Sequence, residues 1–149
     1  GNDYWVWQAI DAVNPVIVAV EWNSVFGPEV AISIPYDPKF FRTDAHYSNL
    51  YYGASISAFE YLGKQKGYSL IGSNSAGNNL FFVRNDRLGG LEPLKAQEAF
   101  VKSRIREARD PEGKLSYLSG EARFIAIKDM CVVTVANNEL ILLSELLSE

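Results

Sequence analysis

The chain has few of the residues that form cross-links, bind metals through sulfur or nitrogen, or cross membranes. Its 149 residues include one cysteine, one histidine and one methionine. A single cysteine excludes an internal disulfide and a cysteine-rich zinc site. Because Cys131 lies in the apolar run CVVTV, we expect its thiol to be buried and inert. The longest apolar run, PVIVAV, is too short to span a bilayer, and no targeting segment is visible, so we expect a cytoplasmic protein.

Positive charge is also in the minority. The sequence has 14 lysines and arginines against 18 aspartates and glutamates, which gives a formal net charge of -4. General binding to nucleic acid or to an anionic membrane needs a basic surface, so we expect neither partner. The chain is long enough to form one domain with a sizeable core, and its 48% hydrophobic content is typical of a globular protein.

The first residues predict a helix and then a buried strand. Asn2 or Asp3 is placed to cap a helix that ends at Asn14-Pro15. The apolar face of this helix comprises Trp5, Ala9, Ala12 and Val13. Residues 16–22, VIVAVEW, are rich in β-branched side chains and do not alternate with polar ones. This pattern predicts a strand that is covered on both faces, as in a parallel sheet.

The middle of the sequence predicts a long connection, a helix and a hairpin. Residues 26–47 are irregular apart from a short predicted strand in AISIP. Helical spacing then begins at Leu50 and stops at Gly67, a residue type that commonly ends helices. YSLIGS and LFFVR are predicted strands, and the loop NSAGNN between them indicates an antiparallel hairpin. Residues 1–87 therefore predict an α/β unit with too few strands for a complete parallel sheet.

Residues 88–149 follow the linker NDRLGGLEPL and predict an α+β extension. A charged helix is expected over residues 96–108, with its basic side chains, Arg106 among them, on a solvated face. A second helix is expected after a cap at Ser119, and two strands are expected around Asn137-Asn138. We therefore divide the chain into a first unit, 1–87, and an extension, 88–149, whose role the sequence does not indicate.

Three stretches of the first unit resemble a known family. GNDYWVWQAI, PVIVAVEWN and YYGASISAFEYLGKQKGYSLIGSNSAGNNLFFVR resemble the C-terminal half of S-adenosylmethionine-dependent methyltransferase-like proteins of the FkbM type. The resemblance implies a Rossmann-like sheet in which PVIVAVEWN is the fifth strand, GYSLIGSN the sixth and NLFFVR the antiparallel seventh. The extension resembles the C-terminal extension of the same proteins through RD-x-x-G-x-L-x-x-LSGE.

The chain departs from this family in the part that binds the methyl donor. The family holds S-adenosylmethionine mainly through a glycine-rich loop after the first strand and an acidic residue that ends the second. A backbone that closely approaches a nucleotide needs such glycines, and this sequence contains no G-x-G-x-G stretch. The resemblance therefore implies that the donor-binding half precedes Gly1 and that the chain is inactive alone.

Three functions remain open from the sequence. The first is the substrate-side part of a methyltransferase that acts on a hydroxyl group of a sugar or other small-molecule substrate, with S-adenosylmethionine bound only when the other half is present. The second is a non-catalytic binding or assembly module, in which a second copy or a partner chain completes the sheet through its open edge. The third is a complete small α/β domain, to which the extension adds strands.

Polar residues next to two predicted strands form the candidate metal site. Asp3 follows the strand that the resemblance places before Gly1, and Glu21 and Asn23 end the next one. Ligands of open α/β sheets lie at the carboxyl ends of strands, and such oxygen ligands suit Mg²⁺, as in O-methyltransferases of the catechol type. The metal would lower the pKa of a substrate hydroxyl. The alternative is that Asp3 caps its helix and that Glu21 and Asn23 bind loop backbone.

His46 and several aromatic residues complete the list of candidates. His46 is the candidate general base for a substrate hydroxyl, and the alternative is a loop histidine on the surface. Aromatic faces pack well on sugar rings, so aromatic side chains are the candidate wall of a substrate pocket, the alternative being a place in the core. The candidate pocket residues are Tyr4, Trp22, Tyr51 and Tyr52.

Overall fold

The computed structural model describes residues 1–104 and 106–147, and these form a mixed α/β structure with two three-stranded antiparallel sheets. The strands are β1 (Ile17–Glu21), β2 (Ile32–Ser33), β3 (Tyr68–Ser73), β4 (Asn79–Arg84), β5 (Cys131–Thr134) and β6 (Glu139–Leu142). The helices are α1 (Asp3–Ala9), α2 (Arg42–Ala45), α3 (Ile56–Lys66), α4 (Ala96–Ala99) and α5 (Glu121–Ala126), with 3-10 turns at Ser24–Phe26, Asn85–Arg87 and Leu143–Leu147. Within the described ranges, no helix combines the length and apolar character needed to cross a bilayer.

The first sheet has the order β1-β4-β3. The β4 strand is antiparallel to both neighbours, so β1 and β3 run parallel to each other on either side of it. The predicted hairpin of β3 and β4 is confirmed. Its register shifts between Leu70 and Gly72, which marks a bulge in the ladder. The expectation that β1 is covered on both faces is wrong, because Ile17, Ala19 and Glu21, which share one face of the strand, are exposed.

The edge position of β1 leaves apolar side chains and backbone groups open. The carbonyl oxygen of Val16 accepts a hydrogen bond from Arg84 N–H, and Trp22 N–H donates to the carbonyl oxygen of Asn78. The backbone N–H and C=O groups of the even-numbered residues of this segment therefore point toward β4. Ladder geometry then directs the N–H and C=O groups of the alternate residues, including Ile17 and Ala19, toward the open side. Ile17 is 62% exposed. A continuous apolar run does not reveal this, because it indicates two apolar faces and not a neighbour on each edge.

The second sheet joins the two units into which the sequence was divided. Strand β2 of the first unit pairs with β5 of the extension, and β5 pairs with β6, as predicted for the two strands around Asn137-Asn138. A second hydrophobic core lies beside this sheet and includes Ile32, Ile127 and Leu143. The extension therefore adds strands to β2 and none to the first sheet within the described residues.

Helices of the extension are shorter than the sequence predicts. The charged helix expected over residues 96–108 is reduced to α4 at Ala96–Ala99. The helix expected after Ser119 is α5, and Gly120 occupies its N-cap position with no side-chain hydrogen bond. Buried Arg123 of α5 donates to the carbonyl oxygens of Leu118, Ser103 and Arg104. These bonds hold the chain before α5 in a non-helical path.

Helix α1 packs on the first sheet with a face that the sequence pattern did not predict. It buries Tyr4 and Trp7, whereas Ala9 and Val13, on the predicted face, are exposed. It ends near Ile10 and lacks a side-chain cap, so the expected capping by Asn2 or Asp3 is wrong. The predicted face was wrong because the helix stops after two turns, and the apolar residues beyond it belong to an extended connection.

Helix α3 begins later than its spacing suggests. The chain turns at Gly53, whose φ is +68°, and Ser55 then caps the helix by accepting from Ala58 N–H. Gly67 ends it in the left-handed conformation, which confirms the predicted stop. As a result, the segment from Leu50 to Gly53 is a loop that lies over the C-terminal end of β1.

Candidate functional site

The C-terminal end of β1 leads into a buried polar turn centred on Asn23. The Asn23 side chain is fully buried, and its amide nitrogen donates to the carbonyl oxygens of Leu50 at 2.8 Å and Tyr52 at 3.0 Å. Its amide oxygen accepts from Val25 N–H at 3.1 Å. Because the side chain thus binds three backbone groups, it fixes the loop that carries Tyr52 against the end of β1.

Two arginines from distant parts of the sequence meet the ring of Tyr52. The guanidinium carbon of Arg42 lies 4.6 Å from the ring centroid, and that of Arg106 lies 6.0 Å from it. Arg42 is fixed by donating to the carbonyl oxygen of Asn49 at 2.6 Å. Arg106 donates to the carbonyl oxygen of Gly77 at 3.1 Å. Cations above an aromatic face are attracted by its quadrupole, so these contacts hold the three side chains together.

The electrostatics of Tyr52 show which charges surround it. Burial raises the pKa of Tyr52, the positive charges of Arg106 and Arg42 oppose that rise, and the carboxylate of Glu21 adds to it. Glu21 and Tyr52 were predicted from different patterns, and the structure brings them close enough to interact. The phenolic oxygen of Tyr52 is buried and has no hydrogen-bond partner among the described residues. The same is true of the indole nitrogen of Trp22.

The three candidate metal ligands lie in different environments. Asn23 makes the backbone contacts that the alternative interpretation predicts, Glu21 is exposed at the end of β1, and Asp3 lies in the first turn of α1 with its carboxylate 3.5 Å from the amino group of Gly1. The described part of the chain holds no group of three or more histidine, cysteine, aspartate or glutamate side chains suited to a metal. The Mg²⁺ site stays a prediction.

Among the four candidate pocket aromatics, Tyr52 is the one whose ring meets Arg42 and Arg106. Tyr4 is 1% exposed and contacts Phe59 in the hydrophobic core beside the first sheet. Trp22 packs edge-on against Phe100. Tyr51 donates from its hydroxyl to the carbonyl oxygen of Cys131. Burial raises the pKa of both Tyr4 and Tyr51 to about 12, so these phenols stay protonated and serve the packing of the core.

His46 lies after α2, where Ser48 determines its tautomer. The backbone N–H of Ser48 donates to Nδ1 at 3.2 Å, and the Ser48 hydroxyl lies 2.7 Å from the same atom. A nitrogen that accepts an N–H carries no proton, so the neutral ring holds its proton on Nε2. In this tautomer Nε2 is a donor, and a role as general base would require the contacts with Ser48 to break.

Stability is expected to fall as the solution is acidified through the titration of His46. Burial lowers the pKa of His46 from 6.5, so the unfolded chain takes up a proton before the folded one does. The stabilisation that neutral His46 contributes is complete above about pH 7, and it is lost as the pH falls through the lowered pKa of the folded protein. His46 is the only histidine, so the urea midpoint of the wild type should decline between about pH 7 and pH 5.5. His46→Gln should remove most of this decline. An equally steep decline in the variant would contradict its assignment to His46.

The sequence pattern does not indicate the arginines of the site. Arg42 lies in the irregular connection, and Arg106 was assigned to a solvated helix face, but it lies beside Tyr52 and is only partly exposed. No local pattern could have joined them, because Arg42 and Arg106 lie far apart in the sequence. The one usable signal was Tyr52 itself, together with the polar residues that end β1.

Comparisons with protein-family models, with curated proteins and with solved structures find no match to this chain.

Proposed function

We propose that the chain is the substrate-side part of a Rossmann-like, S-adenosylmethionine-dependent methyltransferase-like protein that acts on a hydroxyl group of a sugar or small metabolite. The observation that supports this most is the relative direction of the three strands in the first sheet. The resemblance implies parallel fifth and sixth strands and an antiparallel seventh. The strands at those positions, β1, β3 and β4, have these relative directions.

The residues present do not fit the methyl donor by themselves. Among the described residues, β1 and β3 are followed by polar turns, and neither is followed by a glycine-rich loop that opens a helix. A nucleotide bound at a sheet needs such a close backbone approach. We therefore assign this chain the acceptor side of the reaction, at the C-terminal end of β1, and leave the donor side to a segment outside it.

Titration with S-adenosylmethionine by calorimetry tests this assignment. We expect no binding to residues 1–149 alone, because the donor loop is lacking, and binding to a form extended upstream along its gene. Failure of both forms to bind would contradict the methyltransferase proposal. Binding by residues 1–149 alone would contradict the division of the site between two halves.

The second candidate function is an assembly module, and the open edge of β1 is the observation that favours it. A groove of about 580 Å³ runs beside this edge and is lined partly by Ile10, Val13 and Ile17, which are 41%, 65% and 62% exposed. Open strand edges with apolar side chains pair readily with another strand. A dimer that strengthens with concentration in sedimentation, together with no donor affinity in the extended form, would favour this function over the first.

A further inference from the structure

Arginines gather around Tyr52, and none of them has a carboxylate partner among the described residues. In the described part of the chain, Arg84, Arg87 and Arg109 form ion pairs with acidic side chains. Arg42, Arg106 and Arg123 form none, and the positive charge of each acts on the Tyr52 phenol. Their hydrogen bonds to protein go to backbone carbonyl oxygens, which carry no net charge.

Two buried donors of the same cluster have no acceptor. The Tyr52 hydroxyl and the Arg106 Nε–H are buried and lack partners among the described residues. Tyr52 as a whole is only 8% exposed. A buried donor without an acceptor destabilises the folded state, and like charges held together in a poorly solvated place destabilise it further. An acceptor with negative charge would satisfy both needs at once.

We propose that Tyr52, Arg42 and Arg106 form a binding site for an anionic group, a phosphate or a carboxylate, on a small molecule. Guanidinium groups bind such oxygens in charge-assisted hydrogen bonds, and the phenol adds a neutral donor. Glu21, the acid that acts on Tyr52, is exposed and forms no ion pair with these arginines, so it does not supply the counter-charge.

The anion site stands without the methyltransferase proposal. The assignment of the anionic group to the methyl acceptor rests on the proposed function. Because Asn23 holds the Tyr52 loop against the end of β1, an acceptor anchored by its anionic group would place its remaining atoms at this strand end. The sugar or metabolite predicted as substrate would then carry a phosphate or an acid group.

The experiment is a calorimetric titration of residues 1–149 with inorganic phosphate and, separately, with acetate, in a chloride buffer of constant ionic strength. We expect the wild type to bind at least one probe, and the stronger probe indicates whether phosphate or carboxylate is preferred. Arg106→Gln and Tyr52→Phe should each weaken that binding about tenfold or more, since each removes a hydrogen bond to a charged group. Arg106→Lys, which keeps the charge, should recover part of it.

The matched control is Arg104→Gln. Arg104 lies two residues before Arg106 and its side chain is exposed, so this substitution removes the same charge from a place outside the site. It should leave the affinity unchanged. Equal weakening by Arg104→Gln and Arg106→Gln would overturn the proposal, because it would show a diffuse effect of charge. Absence of binding of both probes to the wild type would also overturn it. Thermal melting of each variant verifies folding, and a negative result with S-adenosylmethionine leaves this outcome unaffected.

Discussion

Asn23→Asp is expected to destabilise the protein by at least about 4 kcal/mol. The Asn23 amide nitrogen donates to the carbonyl oxygens of Leu50 and Tyr52 in a fully buried place. An aspartate at this position turns an oxygen toward both carbonyls, leaves them without a donor and buries a charge. Urea unfolding should therefore show a much lower midpoint than the wild type, and little folded protein is expected at physiological temperature.

Asn85→Asp is the matched control, because Asn85 is exposed and its side-chain oxygen accepts from the Ser69 hydroxyl at 2.7 Å. That substitution keeps the acceptor and should change the stability by less than about 0.5 kcal/mol. The pair of variants also separates the two roles considered for Asn23. If Asn23 were a metal ligand, its aspartate variant would bind Mg²⁺ more tightly, and magnesium chloride would restore its stability. We expect no such restoration.

Trp7→Ala is expected to cost about 3–5 kcal/mol and to lower the melting temperature by about 10 °C. The Trp7 ring is stacked 6.3 Å from the Phe59 ring and also contacts the rings of Tyr68 and Phe82, with centroid distances of 5.8 and 4.9 Å. Truncation leaves a cavity between α1, α3 and the first sheet, and aromatic rings of this size cannot close it without moving the strands.

Val6→Ala is the control for Trp7, because Val6 belongs to the same helix and is 53% exposed. We expect it to change the melting temperature by about 1 °C or less. The comparison also tests which face of α1 meets the core. A larger loss at Ala9 or Val6 than at Trp7, measured with Ala9→Ser and the two alanine variants, would show that the helix packs with its other face.

Sequence reasoning succeeded where the determining interactions are local. The stop of α3 at Gly67 follows from one left-handed residue, and the β3–β4 hairpin follows from a short Gly/Asn loop between two apolar runs. The start of α3 was placed too early because Leu50 has helical spacing by coincidence. Ser55, whose hydroxyl caps the helix, was the better signal in the sequence.

Features that depend on contacts between distant residues could not be predicted in this way. The edge position of β1 is determined by which strand reaches it, and its apolar run is equally compatible with a central place. Tyr52 was identified as a candidate from its residue type, but Arg42 and Arg106 join it only because α2 and the chain before α5 lie against the loop that carries Tyr52. No periodicity in the sequence indicates such a contact between distant residues.

The pairing of β2 with β5 has a consequence for the order of folding. Ile32 and Thr134 are partners about a hundred residues apart, whereas β3 and β4, like β5 and β6, are neighbours in sequence. Closing a long loop loses more chain entropy than closing a short one, and distant pairings slow the search for the native state. The two hairpins should therefore form first, and the two-residue strand β2 should dock last, so that the second sheet is completed only after the whole chain is available.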